Sequence, residues 1–163
     1  MSRLGAALLC LLLAACGFQL RGEAATGLKS LYLSAAVPSP VAAELRRQLS
    51  GGPTKLVRDS RAGEAHLRIL SESTEKTIQT LTGAGRVFDY QLRLRVGFQV
   101  TDATEKAMIE PTEIEVRRII TSSETAPLAK EVEERLLFED MRVDAAAQIL
   151  RRIAATRANA QPR

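Results

Sequence analysis

The chain is predicted to fold as an α+β two-layer sandwich, βαβββα in order, with a four-stranded, mainly antiparallel sheet carrying two helices on one face. Three observations predict it. In "RVFDYQLRLRVGFQV", Phe88, Tyr90, Leu92, Leu94, Val96, Phe98 and Val100 alternate with Asp89, Gln91, Arg93, Arg95 and Gln99. That period of two marks a strand with one buried face and one wet face. From Leu128 to about Thr156, apolar residues recur at helical spacing at Leu128, Val132, Leu136, Leu137, Met141, Ala145, Ile149 and Ile153, with Lys, Arg and Glu opposite. A sheet and helices that are each apolar on one side only must bury those sides against each other.

The other elements follow in order. "LKSLYLS" alternates Leu31 and Leu33 with Tyr32 and predicts a short strand. In "SPVAAELRRQLSGGP", Ser39 suits an N-cap and Pro40 a first helical position, Val41, Leu45 and Leu49 repeat every four residues, and Gly51-Gly52-Pro53 ends the run. A longer strand begins at Ala65, with Leu67 and Ile69 alternating with His66 and Arg68 before the polar continuation "SESTEKTIQTL". Gly83 and Gly85 in "TLTGAGRVF" predict the hairpin turn into the central strand. "TEIEVRRIITSS" supplies the last strand, with Ile114, Val116 and Ile120 inward; Arg118 breaks the alternation and predicts a bulge or a sheet edge.

The start of the chain has a different character. Arg3 precedes an apolar run from Leu4 to Ala14, which falls short of the ~20 residues a membrane-spanning helix needs. A basic start, an apolar stretch and small residues before a cleavage point are the layout of a secretory signal. It ends Leu13-Ala14-Ala15-Cys16, which resembles a bacterial lipobox, so the expected product of residues 1–15 is a cleaved signal peptide and that of Cys16 a lipidated first residue. A cleaved soluble signal leaving a free thiol is the plainer alternative. Cys10 leaves with the signal, so Cys16 has no partner for an internal disulfide. Gly17 stands where many Gram-negative lipoproteins retained at the inner membrane carry aspartate, so the expected address is the outer membrane, lipid-anchored on the periplasmic side. Residues 16–27 then read as a linker, 28–156 as a single domain and 157–163 as a disordered tail.

Composition narrows the function further. The formal charge of +4 comes from many mixed charges and not from a basic block, so nucleic acid is a poor candidate partner in this compartment and none is expected, while anionic glycolipid phosphates are a reasonable one. His66 is the single histidine and lacks the companions of a metal site or triad. "GAGR" lacks the Lys-Ser/Thr step of a phosphate-cradling loop, and the carboxylates of "KEVEERLLFED" are interleaved with bases as on a solvated helix face. No enzyme and no cofactor is expected beyond the covalent lipid on Cys16.

The lipobox followed by "CGFQLRG", the βαβββα order with its "YQLRLRVGFQV" strand, and the closing "PLAKEVEERLLFEDMRVDAAAQILRRI" together resemble the lipopolysaccharide-assembly lipoprotein family, LptE. The similarity covers nearly the whole mature chain. It implies a protein that plugs the lumen of a large, LptD-like outer-membrane β-barrel translocon, assists its assembly and binds lipopolysaccharide on its way to the cell surface. It also implies lipopolysaccharide-binding roles for Lys130 in "PLAKE" and for Arg86, the nearest arginine in the loop before the "YQ" strand, although Arg86 stands closer to Tyr90 than the family pattern has it. A local role for Lys130, balancing Glu131, Glu133 and Glu134, stands beside this. The wet sheet face, with Arg68, Arg93, Arg95 and Arg117 beside Glu113 and Glu115, suits a polar barrel interior and equally suits cross-strand ion pairing on an open surface. The alternative function is that of a structural or regulatory lipoprotein with another envelope partner.

Overall fold

The computed structural model describes residues 26–123 and 125–160. Cys16 and the signal peptide before it lie outside the described residues, as does the end of the tail. The order of elements is β1 (Ser30–Ala35), α1 (Pro40–Leu49), β2 (Lys55–Val57), a 3-10 turn (Ser60–Ala62), β3 (Ala65–Leu81), β4 (Val87–Asp102), β5 (Ala107–Thr121) and α2 (Pro127–Ala160).

The fold is the expected α+β sandwich, with a sheet of five strands in the order β2-β1-β3-β4-β5 where four were predicted. The extra strand, β2, is three residues long and pairs parallel to β1 through Leu31 and Leu56. Three residues carry too little alternation to be read as a strand. β1 also runs parallel to β3, whereas β3, β4 and β5 form a long antiparallel meander. β5 is an edge strand, as Arg118 suggested, but no bulge lies there: Leu92 pairs with Arg118 in unbroken register, and the β4–β5 irregularities fall near Val100. Arg118 instead faces the helices and pairs with Asp144 of α2.

One core lies between the sheet and both helices. Leu92, Leu94, Val96, Phe98 and Val100 of β4 are fully buried and form its floor, with Leu67 and Ile69 from β3 and Ile114, Val116 and Ile120 from β5. α1 starts as predicted: Ser39 Oγ accepts a hydrogen bond from the Ala42 amide at 2.9 Å, and Pro40 occupies the first turn, where its missing amide costs nothing. Val41, Ala42, Leu45 and Leu49 are buried. The sheet completes this cap, because Glu72 of β3 accepts from the Val41 amide at 3.1 Å and from the Ser39 hydroxyl, placing a carboxylate at the positive end of the helix.

α2 departs from the sequence reading at both ends. Its buried residues are Met141, Ala145, Ala146, Ile149, Leu150 and Ile153, while Leu128, Val132 and Leu136 of the predicted stripe are 76%, 44% and 53% exposed. Leu137 of that stripe and Phe138 are partly buried against the core, which therefore ends about one turn before Met141. α1 is 10 residues long against 34 for α2, and the groove between them is lined on α2 by Glu139 to Val143, so the first three turns of α2 pass beyond the cover of α1. At the other end the helix continues to Ala160, where a disordered tail was predicted from 157; Arg157 is tied to Glu64 beside β3. The packed chain also begins slightly earlier than Leu28, since Thr26 is buried and its hydroxyl bonds Thr54 at 2.7 Å.

These limits of the core set a contrast in stability. Met141→Ala is expected to cost about 2–5 kcal/mol, and Leu128→Ala to stay within about 0.5 kcal/mol, both read from urea unfolding. Equal losses from the two would show that the apolar stripe is buried along its whole length.

Candidate functional site

The parity of the long meander decides which side chains share a face. Residues paired directly across antiparallel strands point to the same side. Arg93, Arg95, Gln91 and Asp89 of β4 therefore share a face with Arg117, Glu115, Glu113 and Thr121 of β5, and that face is the one turned away from the helices. Arg68, opposite Gln99, is there too. The structure thus brings together all four arginines proposed from the sequence, as one charged face.

That face is organised around one carboxylate. Arg93 stands directly across from Arg117, a like-charge pairing that is unfavourable by itself. Glu115 resolves it: it accepts from Arg95 Nε at 2.9 Å, pairs with Arg117, and lies 3.7 Å from Arg93 Nε. Glu75 of β3 adds a contact to Arg93 at 3.3 Å, and Gln91 Oε1 accepts from Arg93 Nη2 at 2.9 Å. The hydrogen bond from Arg95, reinforced by that from Arg117, holds the Glu115 carboxyl below its usual range. In return, Glu115 makes the Arg95 guanidinium harder to deprotonate.

On the helix side, a bulge changes the reading of β3. Register shifts between Ile69 and Ser71, so Leu67 and Ile69 face the core and, past the bulge, Glu72, Thr74, Lys76 and Ile78 do. Simple alternation would have put Ser71, Ser73 and Glu75 there. Gly97 opposite the bulge makes room for it, since a Cβ there would stand 2.5 Å from Ser71 Oγ. Lys76 consequently points at α2, where its Nζ meets Glu134 at 2.6 Å and lies 4.3 Å from the centre of the Tyr90 ring.

Beyond the core, then, the sheet and the start of α2 are joined by an ion pair and not by apolar packing. Between them is a cleft of about 210 Å³, with Tyr90 and Ile120 from the sheet, Ser122 and Ser123 from the connection, and Lys130, Glu131 and Glu134 from the helix. Lys130 Nζ pairs with Glu133 at 2.8 Å, so the local balancing role read from the sequence is present, and the same residue lines the cleft. Arg86 belongs to the β3–β4 turn at this same end: Leu81 pairs with Val87, and the Ser122 amide bonds Phe88 O at 2.8 Å. The structure thus sets Lys130 and Arg86 at one end of the molecule, with Lys130 alone in the cleft wall. Lys76, Tyr90 and Glu134 were not foreseen as site residues. The signal available for them was Gly97, a glycine inside an otherwise regular strand, which marks a bulge on a neighbouring strand.

His66 is structural. Its Nε2 lies 2.6 Å from Ser60 O, and its ring meets Tyr32 edge-on at 5.6 Å. Among the described residues, no group of His, Cys, Asp or Glu side chains is arranged to hold a metal ion, and no helix is long and apolar enough to cross a membrane.

The arrangement around Glu115 predicts a pH signature. A carboxyl with a depressed folded-state pKa contributes stability above its unfolded pKa and loses it as pH falls through the folded value. Glu115→Gln should lower the urea midpoint at pH 7, and its difference from the native chain should narrow as pH falls below the ordinary glutamate value of 4.5. An unchanged midpoint at pH 7 would remove Glu115 from the centre of the charged face.

Comparison with known proteins accords with this geometry. A family model described as LptE, lipopolysaccharide-assembly, matches residues 28–153. The chain is 32% identical over 147 residues to the LPS-assembly lipoprotein LptE of Pectobacterium atrosepticum, covering 88% of this chain and 79% of that protein. It is 33% identical over 147 residues to the protein of the same name from Yersinia pestis, covering 88% of this chain and 70% of the relative. Its fold is similar to that of an uncharacterized lipoprotein B from Nitrosomonas europaea solved by NMR, with a TM-score of 0.75, 32% identity, and coverage of 87% of this chain and 93% of the other. The crystal structure of rare lipoprotein B from Shewanella oneidensis is similar with a TM-score of 0.70 and 30% identity over 80% of this chain and 97% of that one. The chain belongs to the LptE family of lipopolysaccharide-assembly lipoproteins.

Proposed function

We propose that the chain is anchored to the outer membrane by lipid on Cys16, faces the periplasm, seats its domain in a large LptD-like β-barrel translocon, assists that barrel's assembly and binds lipopolysaccharide passing through it. The observation that carries this reading is the family match over residues 28–153, nearly the whole described domain. The protein acts by binding and not by catalysis.

Physical chemistry supports each part. The lumen of a transmembrane barrel is polar, and a sheet face bearing Arg68, Arg93, Arg95 and Arg117 among glutamates can exchange its internal ion pairs for pairs with such a wall. Lipid A presents phosphates, and charge-assisted hydrogen bonds from lysine and arginine are strong and short. Lys130 at the cleft and Arg86 on the turn are the cations assigned to them, with Lys76 close behind Lys130.

Two measurements test the proposal. Tagged mature protein, drawn from detergent-solubilised outer membrane, should bring a large β-barrel protein with it; recovery with a different envelope partner alone would favour the structural or regulatory alternative. Lys130→Asp combined with Arg86→Asp should weaken lipopolysaccharide binding by about tenfold or more, as expected for roughly 1.4 kcal/mol or more of lost charge-assisted bonding, with an unchanged circular dichroism spectrum. Undiminished binding would remove both residues from the site and leave the plug role standing.

A further inference from the structure

We infer that the β3–β4 hairpin tip is a hydrocarbon-contacting element that meets the acyl chains of lipopolysaccharide, an inference that rests on the lipopolysaccharide-binding reading and extends it from phosphates to lipid. The tip projects past its supports. The last ties to β5 and the segment after it are the Ser122 amide on Phe88 O and the Asp89 carboxylate, which accepts from Thr121 Oγ1 at 2.9 Å and also, across the hairpin, from Thr80 Oγ1 of β3 at 2.8 Å. At and beyond them the hairpin carries apolar side chains on both faces. Leu81 pairs with Val87 on the face turned away from the helices, Phe88 lies on the other, and Ile78, opposite Tyr90 just inside the ties, extends that second face; Ile78, Leu81 and Phe88 are 58%, 57% and 52% exposed.

A strand pair packed on a core is apolar on one face only, so apolar exposure on both faces of a tip is a surface in search of a nonpolar partner. The polar lumen of a barrel does not provide one. From Thr77 to Phe88 the sequence carries a single charge, Arg86, in a chain that is 26% charged. The backbone suits the same partner. The Thr82 amide bonds Arg86 O at 2.7 Å, the Gly85 amide bonds Thr82 O at 2.9 Å, and the Arg86 amide bonds Thr82 Oγ1 at 3.1 Å, so these turn donors are satisfied from within. An element entering hydrocarbon needs that, because lipid offers no replacement partners. Apolar residues on both sides of one arginine match an amphiphile with acyl chains below an anionic headgroup.

The chain contains no tryptophan, so a single introduced one reports only its own position. The full mature chain is made with Cys16→Ser, so that no acyl group of its own contributes, and carries Leu81→Trp, Phe88→Trp or, at the β4–β5 turn on the opposite end, Ala103→Trp. Each is mixed with lipopolysaccharide micelles, with acyl-stripped lipopolysaccharide that keeps its phosphates, and with phosphatidylglycerol vesicles, while sedimentation with the micelles reports binding. The expected result is a shift of emission to shorter wavelength for both tip variants with intact lipopolysaccharide alone, and none for Ala103→Trp. Sedimentation without a tip shift would overturn the acyl contact and leave phosphate recognition intact. A failure to sediment would overturn both readings, and an equal shift with phosphatidylglycerol would overturn lipopolysaccharide as the occupant.

Discussion

The structure depends on the burial of one face of β4. Leu92, Leu94, Val96, Phe98 and Val100 are inaccessible to solvent, and each such side chain contributes roughly 1.5–3 kcal/mol relative to exposure. Both long neighbours, β3 and β5, take their register from this strand, and both helices are placed by the need to cover it. Because alternation is strict, burying one face commits the other to water or to a polar partner. Arg93 and Arg95 are therefore outward as a direct consequence of the core, and the charged face is a product of the same constraint that builds the fold.

A second consequence is that the molecule has two unlike ends. Near the chain start, Thr26, Thr54, Glu64 and Arg157 bind β1, the turn before β3 and the end of α2 together. At the other end the core gives way to the Lys76–Glu134 ion pair and the open cleft. The strands run on where the helices no longer cover them. At 1.5 Å per residue the 34 residues of α2 extend for about 51 Å, so the tether to the proposed anchor and the proposed ligand end stand at opposite ends of a long body. A domain of this form can be fastened at one end while presenting cations and exposed apolar side chains at the other.

The parts of this arrangement that were legible in the sequence are those in which a local pattern alone decides the outcome. β4 declared itself through seven alternating residues, and α1 through Ser39, Pro40 and a four-residue repeat. The lysine of the cleft and the four arginines of the sheet face were named from the sequence, and the structure places them at a cleft and on a common face. What was hidden depends on non-local geometry. β2 exists only because β1 offers an edge. The bulge after Ile69 reverses the parity of the rest of β3, which concealed Lys76 and Glu72 as helix-facing residues. The apolar stripe of α2 continues to Leu128 in sequence, but α1 is too short to cover it, and helical periodicity carries no information about the length of a neighbour.

The central claim is that the face bearing Arg93, Arg95 and Arg117 is seated against the interior of a translocon barrel. The most direct measurement is site-specific photocrosslinking in living cells, with the crosslinker placed at Arg95 or Arg117 and, for contrast, at the core-lining Val96. The account predicts that the two sheet-face positions capture one large outer-membrane β-barrel protein, identified by mass spectrometry as the lipopolysaccharide translocon, and that Val96 captures nothing. Crosslinks from Arg95 and Arg117 that miss any barrel, while the protein is folded and in the outer membrane, would contradict it.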